Sequence, residues 1–93
     1  NAISFDQDIS KWNTSKVKEM ISMFESANLF NQPLNNWDVS NVTNMEKMFY
    51  CAESFDQNIN SWNTSKVKNM RQMFCKSNFN IPMSVAMKDT ETL

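Results

Sequence analysis

The sequence predicts an α/β repeat solenoid of about 25 residues per repeat, with short parallel strands on one face and short helices on the other. Three observations predict this fold class. The heptapeptide WNTSKVK occurs at 12–18 and again at 62–68, and a variant, WDVSNVT, lies at 37–43. Phe, Trp, Ser, Val and Met recur at a spacing of 25. A fixed period of roughly 20–50 residues indicates repeats that bury their apolar faces against each other.

The repeats span residues 5–29, 30–54 and 55–78, and a partial fourth copy spans 79–93. The fourth copy begins one residue early at Phe79, continues through Asn80, Pro82 and Met83, and lacks the Trp of the other copies. We predict a single repeat array, 1–93, that is a piece of a longer chain.

Each repeat contains S-x-V-x2-M-x2-M-F, which places apolar residues at i, i+3, i+6 and i+7. This spacing predicts a two-turn amphipathic helix. Ser15, Ser40 and Ser65 stand two residues before each apolar stripe. Their hydroxyls are predicted to cap the helix N-termini.

The segment before each Trp, such as FDQNINSW, predicts a short strand. Alternation directs Ile9, Leu34 and Ile59 inward, together with Gln7, Gln32 and Gln57 on the same face. The crossovers are expected to wind in a right-handed sense. The outward positions form an amide-rich, mildly acidic face, which we predict to bind a partner: Asp6, Asp8, Ser10, Asn31, Asn35, Asp56, Asn58 and Asn60.

The stretch FNQPLNNWDVSNVTNMEKMFYCAESFDQ at 30–57 resembles the mycoplasma-type lipoprotein-associated repeat and, more broadly, the BspA-like leucine-rich-repeat surface proteins. The resemblance covers residues 3–83. It implies a leucine-rich-repeat-like coil in a cell-surface or secreted protein that serves adhesion or protein recognition and not catalysis. An intracellular or organellar assembly is the alternative location. The family commonly carries Gly in the turn after MF, where this chain has ESAN, YCAE and CKSN.

Composition argues against several function classes. The net charge is −1 with interspersed charges, which lacks the basic field of a nucleic-acid binder. The chain has neither Gly nor His, so it lacks phosphate-cradling Gly-rich loops and the commonest general base and metal ligand. No apolar run approaches the roughly 18 residues of a membrane span. We therefore predict no enzyme, no cofactor, no metal and no direct membrane span.

Several residue sets have two interpretations, and the structural one is favoured for each. Trp12, Trp37 and Trp62 form a core ladder or a stacking platform for bases. The paired Asp6 and Asp8 are a solvated face, or a functional pair for acid–base chemistry or Ca²⁺ binding. The motifs at Asn13, Asn41 and Asn63 are turn residues or N-glycosylation acceptors. The Met stripe is core or a plastic binding surface. Cys51 and Cys75 are free thiols or a disulfide between neighbouring repeats.

Two functions remain at this point. The first is a non-catalytic recognition module that binds a protein or glycan through its strand face. The second is a structural assembly subunit that associates end to end through its open ends within a larger complex or filament. A monomer with affinity for a partner favours recognition, and a mass that rises with concentration favours assembly.

Overall fold

The computed structural model describes residues 3–79. Within this range the chain contains no helix and no regular strand. Its strand-like pairing consists of two isolated parallel β-bridges, Glu19–Asn44 and Asn44–Asn69. The fold-class prediction is therefore wrong. The chain is a compact globule of turns and extended segments, with a radius of gyration of 11.8 Å, and not an α/β solenoid. The repeats themselves lie in register, since both bridges join equivalent residues of neighbouring repeats.

The predicted helices do not form because their backbone N–H groups are used between repeats. The N–H groups of Met20, Ser22, Phe24 and Ser26 donate to the carbonyls of Asn44, Glu46, Met48 and Tyr50, at 2.9, 2.8, 2.8 and 2.7 Å. An α-helix would direct the same groups to carbonyls four residues earlier in the chain. Repeat 2 bonds to repeat 3 in the same way, so this pattern holds the layers together.

Left-handed residues interrupt the same segments. Ser22, Lys47 and Gln72, and four residues later Ser26, Cys51 and Lys76, have φ between 54° and 60°. Such residues cannot continue a right-handed helix, and each costs about 1–2 kcal/mol outside Gly. They shape successive four-residue turns, in which an N–H donates to the carbonyl three residues earlier, such as Tyr50 N–H to the Lys47 carbonyl at 3.2 Å. The three-residue spacing of the apolar positions is therefore the spacing of these turns.

The predicted helix caps are also wrong. The hydroxyl and N–H of Ser40 both donate to Asp38 Oδ1, at 2.6 and 2.9 Å, in a local turn. Ser15 makes the same two bonds to Asn13, and Ser65 donates its N–H to Asn63. These bonds explain the recurring Ser without a helix, because Asp and Asn side chains favour turns of this kind.

The core consists of equivalent residues from successive repeats. The Phe24, Phe49 and Phe74 rings stack with centroids 5.4 Å apart at each step. The inward direction predicted for Ile9, Leu34 and Ile59 is confirmed, as is burial of most of the Met stripe. One contiguous cluster of buried residues joins the three repeats.

Candidate functional site

The predicted binding face carries a polar ladder that links the repeats. Asp6 Oδ1 accepts the N–H of Asn31 at 2.9 Å and the Nε2 of Gln32 at 3.0 Å. Asn31 Oδ1 accepts the corresponding groups of Asp56 and Gln57, both at 2.9 Å. The Oδ1 atoms of Asp6 and Asn31 therefore each accept two hydrogen bonds from the next repeat.

The predicted inward direction of the Gln residues is wrong. Gln7 is exposed, whereas Gln32 and Gln57 are half-buried. Alternation applies to a regular strand, and these segments lack one. The amides instead lie along the ladder and bond to the preceding repeat.

The other predicted binding residues lie at the surface. Asp8, Asn35, Asn58 and Asn60 are exposed and Ser10 is half-buried. Asp8 Oδ1 accepts the N–H of Ser10 at 3.0 Å, and the hydrogen bonds from Ser10 lower the pKa of the Asp8 carboxyl. Asn58 holds Asn60 in the same way at 2.8 Å. The hydrogen bonds from Ser40, its hydroxyl first, lower the pKa of Asp38 at a corresponding turn. These side chains shape turns as well as presenting polar atoms to solvent.

Replacing Asn31 by Ala should lower the free energy of unfolding by about 1–2 kcal/mol, because two hydrogen bonds between repeats are lost. Asn31→Asp keeps the accepting oxygen and should cost less. The matched control is Asn35→Ala, an exposed position at which the change should stay within about 0.5 kcal/mol. Chemical denaturation measures all three variants. Equal losses at positions 31 and 35 would contradict a structural role for the ladder.

A second surface feature is an apolar groove of about 220 Å³ at the N-terminal end of the array. Its lining residues all belong to repeat 1: Phe5, Ile9, Trp12, Met23 and Phe24. Trp12 is 56% exposed, whereas its equivalent Trp37 is 4% exposed. Met23 is 38% exposed and its equivalent Met48 is fully buried. Repeat 1 covers repeat 2, and no described residue covers repeat 1 in the same way.

The backbone at this end also has carbonyl groups that accept no hydrogen bond from residues 3–79. In repeats 2 and 3 the carbonyls of the turn segment accept N–H groups from the preceding repeat. The equivalent carbonyls of repeat 1 receive no donor from residues 3–79: Glu19, Ile21, Met23 and Glu25. The N-terminal end therefore combines exposed aromatic surface with a row of carbonyls that are ready to accept.

The sequence contains a signal for this end that the strand-face prediction did not use. Ile3, Ile21 and Leu29 are exposed. The equivalent positions in the following repeats are polar, for example Glu46 for Ile21 and Ser54 for Leu29. Within residues 3–79 the exposed large hydrophobic side chains all lie between Ile3 and Leu29.

A known protein family matches most of this chain. A family described as "Mycoplasma protein of unknown function, DUF285" matches residues 1–86. The chain belongs to this family. The mycoplasma-type part of the predicted resemblance is confirmed, and no match supports the BspA-like leucine-rich-repeat part. No curated protein and no solved structure matches the chain.

The remaining candidate sites of this DUF285 chain lie on the outer surface. Cys51 and Cys75 are half-buried free thiols on neighbouring repeats, and the Cys51 N–H donates to the Cys75 carbonyl at 2.9 Å. Asn13 and Asn63 are exposed, whereas Asn41 is half-buried and donates to the Ser15 carbonyl at 2.7 Å.

Two features are absent from residues 3–79. No group of three or more His, Cys, Asp or Glu side chains is placed to hold a metal ion. No helix in this part of the chain could cross a membrane. The positions from Asn80 onward, including Pro82 and Met83, lie outside the described residues.

Proposed function

We propose that this chain is a non-catalytic structural module whose open N-terminal end binds a further repeat of the same kind. The observation that carries the proposal is the row of four carbonyls beside the exposed Trp12, which accept no N–H group from residues 3–79. A like repeat would supply the missing N–H donors and apolar cover together.

The internal junctions of the chain support this partner. At the junction of repeats 1 and 2, Trp37 Nε1 donates to the Ile9 carbonyl at 2.9 Å, and the Trp12 and Trp37 rings stack at 6.4 Å. At the next junction Trp62 Nε1 donates to the Leu34 carbonyl at 2.9 Å. The Trp Nε1–carbonyl hydrogen bond therefore forms at both junctions, and Trp12 of repeat 1 presents the same donor group for a third.

Inserting a copy of residues 30–54 directly before Phe5 tests the proposal. The extra repeat should bury Trp12 and Met23 and raise the free energy of unfolding by about 1–3 kcal/mol, from apolar burial alone. Trp12 fluorescence should shift to shorter wavelength, once Trp37, Trp62 and the inserted copy of Trp37 are replaced by Phe so that Trp12 is the one Trp in each protein. Denaturant unfolding measures the stability of the two proteins with all Trp residues intact.

The matched control is the same insertion with Ser in place of the residues that copy Met45, Met48 and Phe49. This segment has the same length but cannot pack, so it should leave stability and Trp12 emission unchanged. If the unaltered insertion also has no effect, the N-terminal end is not a repeat-binding surface.

Recognition of a protein or glycan through the polar face is the second candidate. The observation that favours it is the exposure of Asp8, Asn35, Asn58 and Asn60. The polar ladder weakens it, because Asp6 and Asn31 already bond within the chain. A partner whose binding is lost on replacing Asn35 and Asn60 by Lys, with the open end intact, would decide for recognition. The surface or secreted location that the resemblance implies stays a prediction.

A further inference from the structure

The two ends of the array are complementary in their backbone groups. At the C-terminal edge, four N–H groups find no acceptor among residues 3–79: Met70, Gln72, Phe74 and Lys76. They are equivalent to the groups with which repeats 1 and 2 donate to the next repeat. The N-terminal end offers four carbonyls at the same spacing of two residues.

This arrangement gives the array a direction. Two N-terminal ends would bring two rows of carbonyls together, and neither row contains a donor for the other. A C-terminal edge placed on an N-terminal end pairs every group in both rows. The side-chain charges agree with this direction. Repeat 1 has four carboxylates and three Lys, a net charge of −1, whereas repeat 3 has one Asp, three Lys and one Arg, a net charge of +3.

Phe79 occupies part of the C-terminal end. Its ring lies 5.3 Å from Phe55 and 5.1 Å from Phe74. Phe55 takes the same place in the layer before, 6.0 Å from Phe30 and 4.3 Å from Phe49. Phe79 therefore lies where the first Phe of a further repeat would pack.

We propose that the N-terminal groove fits the C-terminal edge of a second copy of this chain, a contact that we call the joint. In the unaltered chain, Phe79 occupies the C-terminal end and prevents the joint from forming. The inference rests on the proposed function and names its partner. In the joint, the Phe74 N–H of one copy donates to the Met23 carbonyl of the other, and the Lys76 N–H donates to the Glu25 carbonyl. Because this contact is heterologous and does not close, copies add in an open chain.

Replacing Phe79 by Ser tests whether this residue prevents the association of two copies. The unaltered chain should remain monomeric by sedimentation velocity across the concentration range. Phe79→Ser should form species beyond the dimer that grow with concentration, while Phe79→Leu, which keeps the apolar contact, should remain monomeric. Near-ultraviolet circular dichroism at low concentration checks that each variant is folded. A monomeric Phe79→Ser protein, or an unaltered chain that polymerises equally, overturns the proposal.

A second substitution separates the joint from non-specific aggregation. Adding Trp12→Lys to Phe79→Ser should return the protein to a monomer, because Trp12 lines the groove. The matched control is Leu29→Lys, at an exposed apolar position outside both the groove lining and the row of carbonyls. It should leave assembly intact. Equal effects of the two substitutions would mean that general hydrophobicity, and not the groove, drives association.

Cross-linking tests the direction. The native Cys51 and Cys75 already stand in the relation that Lys76 and Glu25 should adopt across the joint. In a Phe79→Ser protein with both Cys replaced by Ser, a short bis-maleimide should link Glu25→Cys to Lys76→Cys only when the two variants are mixed. Dimers of Glu25→Cys alone would show a joint between two N-terminal ends and overturn the proposed direction.

The two proposals fail separately. If the inserted repeat stabilises the chain but Phe79→Ser stays monomeric, the N-terminal end binds a repeat and the second copy is not its partner. If the inserted repeat has no effect, the proposed function fails first.

Discussion

Replacing Trp37 by Ala should lower the free energy of unfolding by about 3–5 kcal/mol, the usual cost of truncating a buried aromatic residue. Trp37 is almost fully buried, stacks on Trp12 and lies 5.9 Å from the ring of Phe24. Its Nε1 also donates to the buried Ile9 carbonyl at 2.9 Å. Truncation therefore removes apolar contact and a hydrogen bond across the junction of repeats 1 and 2.

The matched control is Trp12→Ala. Trp12 has the same place in its repeat, but more than half of its surface is exposed. Its truncation should cost less than about 1 kcal/mol, as is usual at exposed sites. Urea unfolding at a concentration that keeps the chain monomeric gives both values. Similar midpoints for the two variants would contradict the difference in burial between the first repeat and the second.

The repeat and its buried positions could be predicted from the sequence because a buried position allows few residue types. Trp37, Met45 and Phe49 recur at a fixed period, and each is buried as predicted. The same argument predicted the Trp ladder for Trp37 and Trp62. It did not predict the exposure of Trp12, since an equivalent residue is covered only when a further repeat lies beside it.

The secondary structure could not be predicted in this way. A three-residue spacing of apolar side chains fits one face of a helix and also a succession of tight turns. What decides between them is the direction of the backbone N–H groups, and residues such as Ser22 and Lys47 give no local sign of it. In many turns Gly marks a positive φ. Here Ser, Lys, Gln and Cys take that conformation, so the usual sign is absent.

The polar face was predicted in part. Exposure of Asp6, Asn31 and Asp56 agrees with the outward direction, although no strand forms. The bonds that join these residues to the next repeat were not predicted. The apolar end could not be predicted from the repeat, because Ile21 and Leu29 are apolar in the first copy alone and their equivalents in the following repeats are polar.

The last prediction concerns Phe49 of repeat 2, whose ring contacts aromatic residues of repeats 1 and 3. It is fully buried, with centroids 5.4 Å from Phe24, 4.3 Å from Phe55 and 5.4 Å from Phe74. Phe49→Ala should cost about 3–5 kcal/mol, and Phe49→Leu should cost less because most of the volume is kept. The control is Phe5→Ala at the open end, where the ring is half-buried and a smaller loss is expected.

The way in which Phe49→Ala unfolds is as informative as its stability. Since one buried cluster joins the three repeats, removing a ring between repeats 1 and 3 should destabilise the whole array and not repeat 2 alone. Far-ultraviolet circular dichroism and Trp fluorescence should therefore change in one transition at a lower denaturant concentration. Separate transitions for the two signals, or a loss no larger than that of Phe5→Ala, would show that the stacked rings do not couple the repeats.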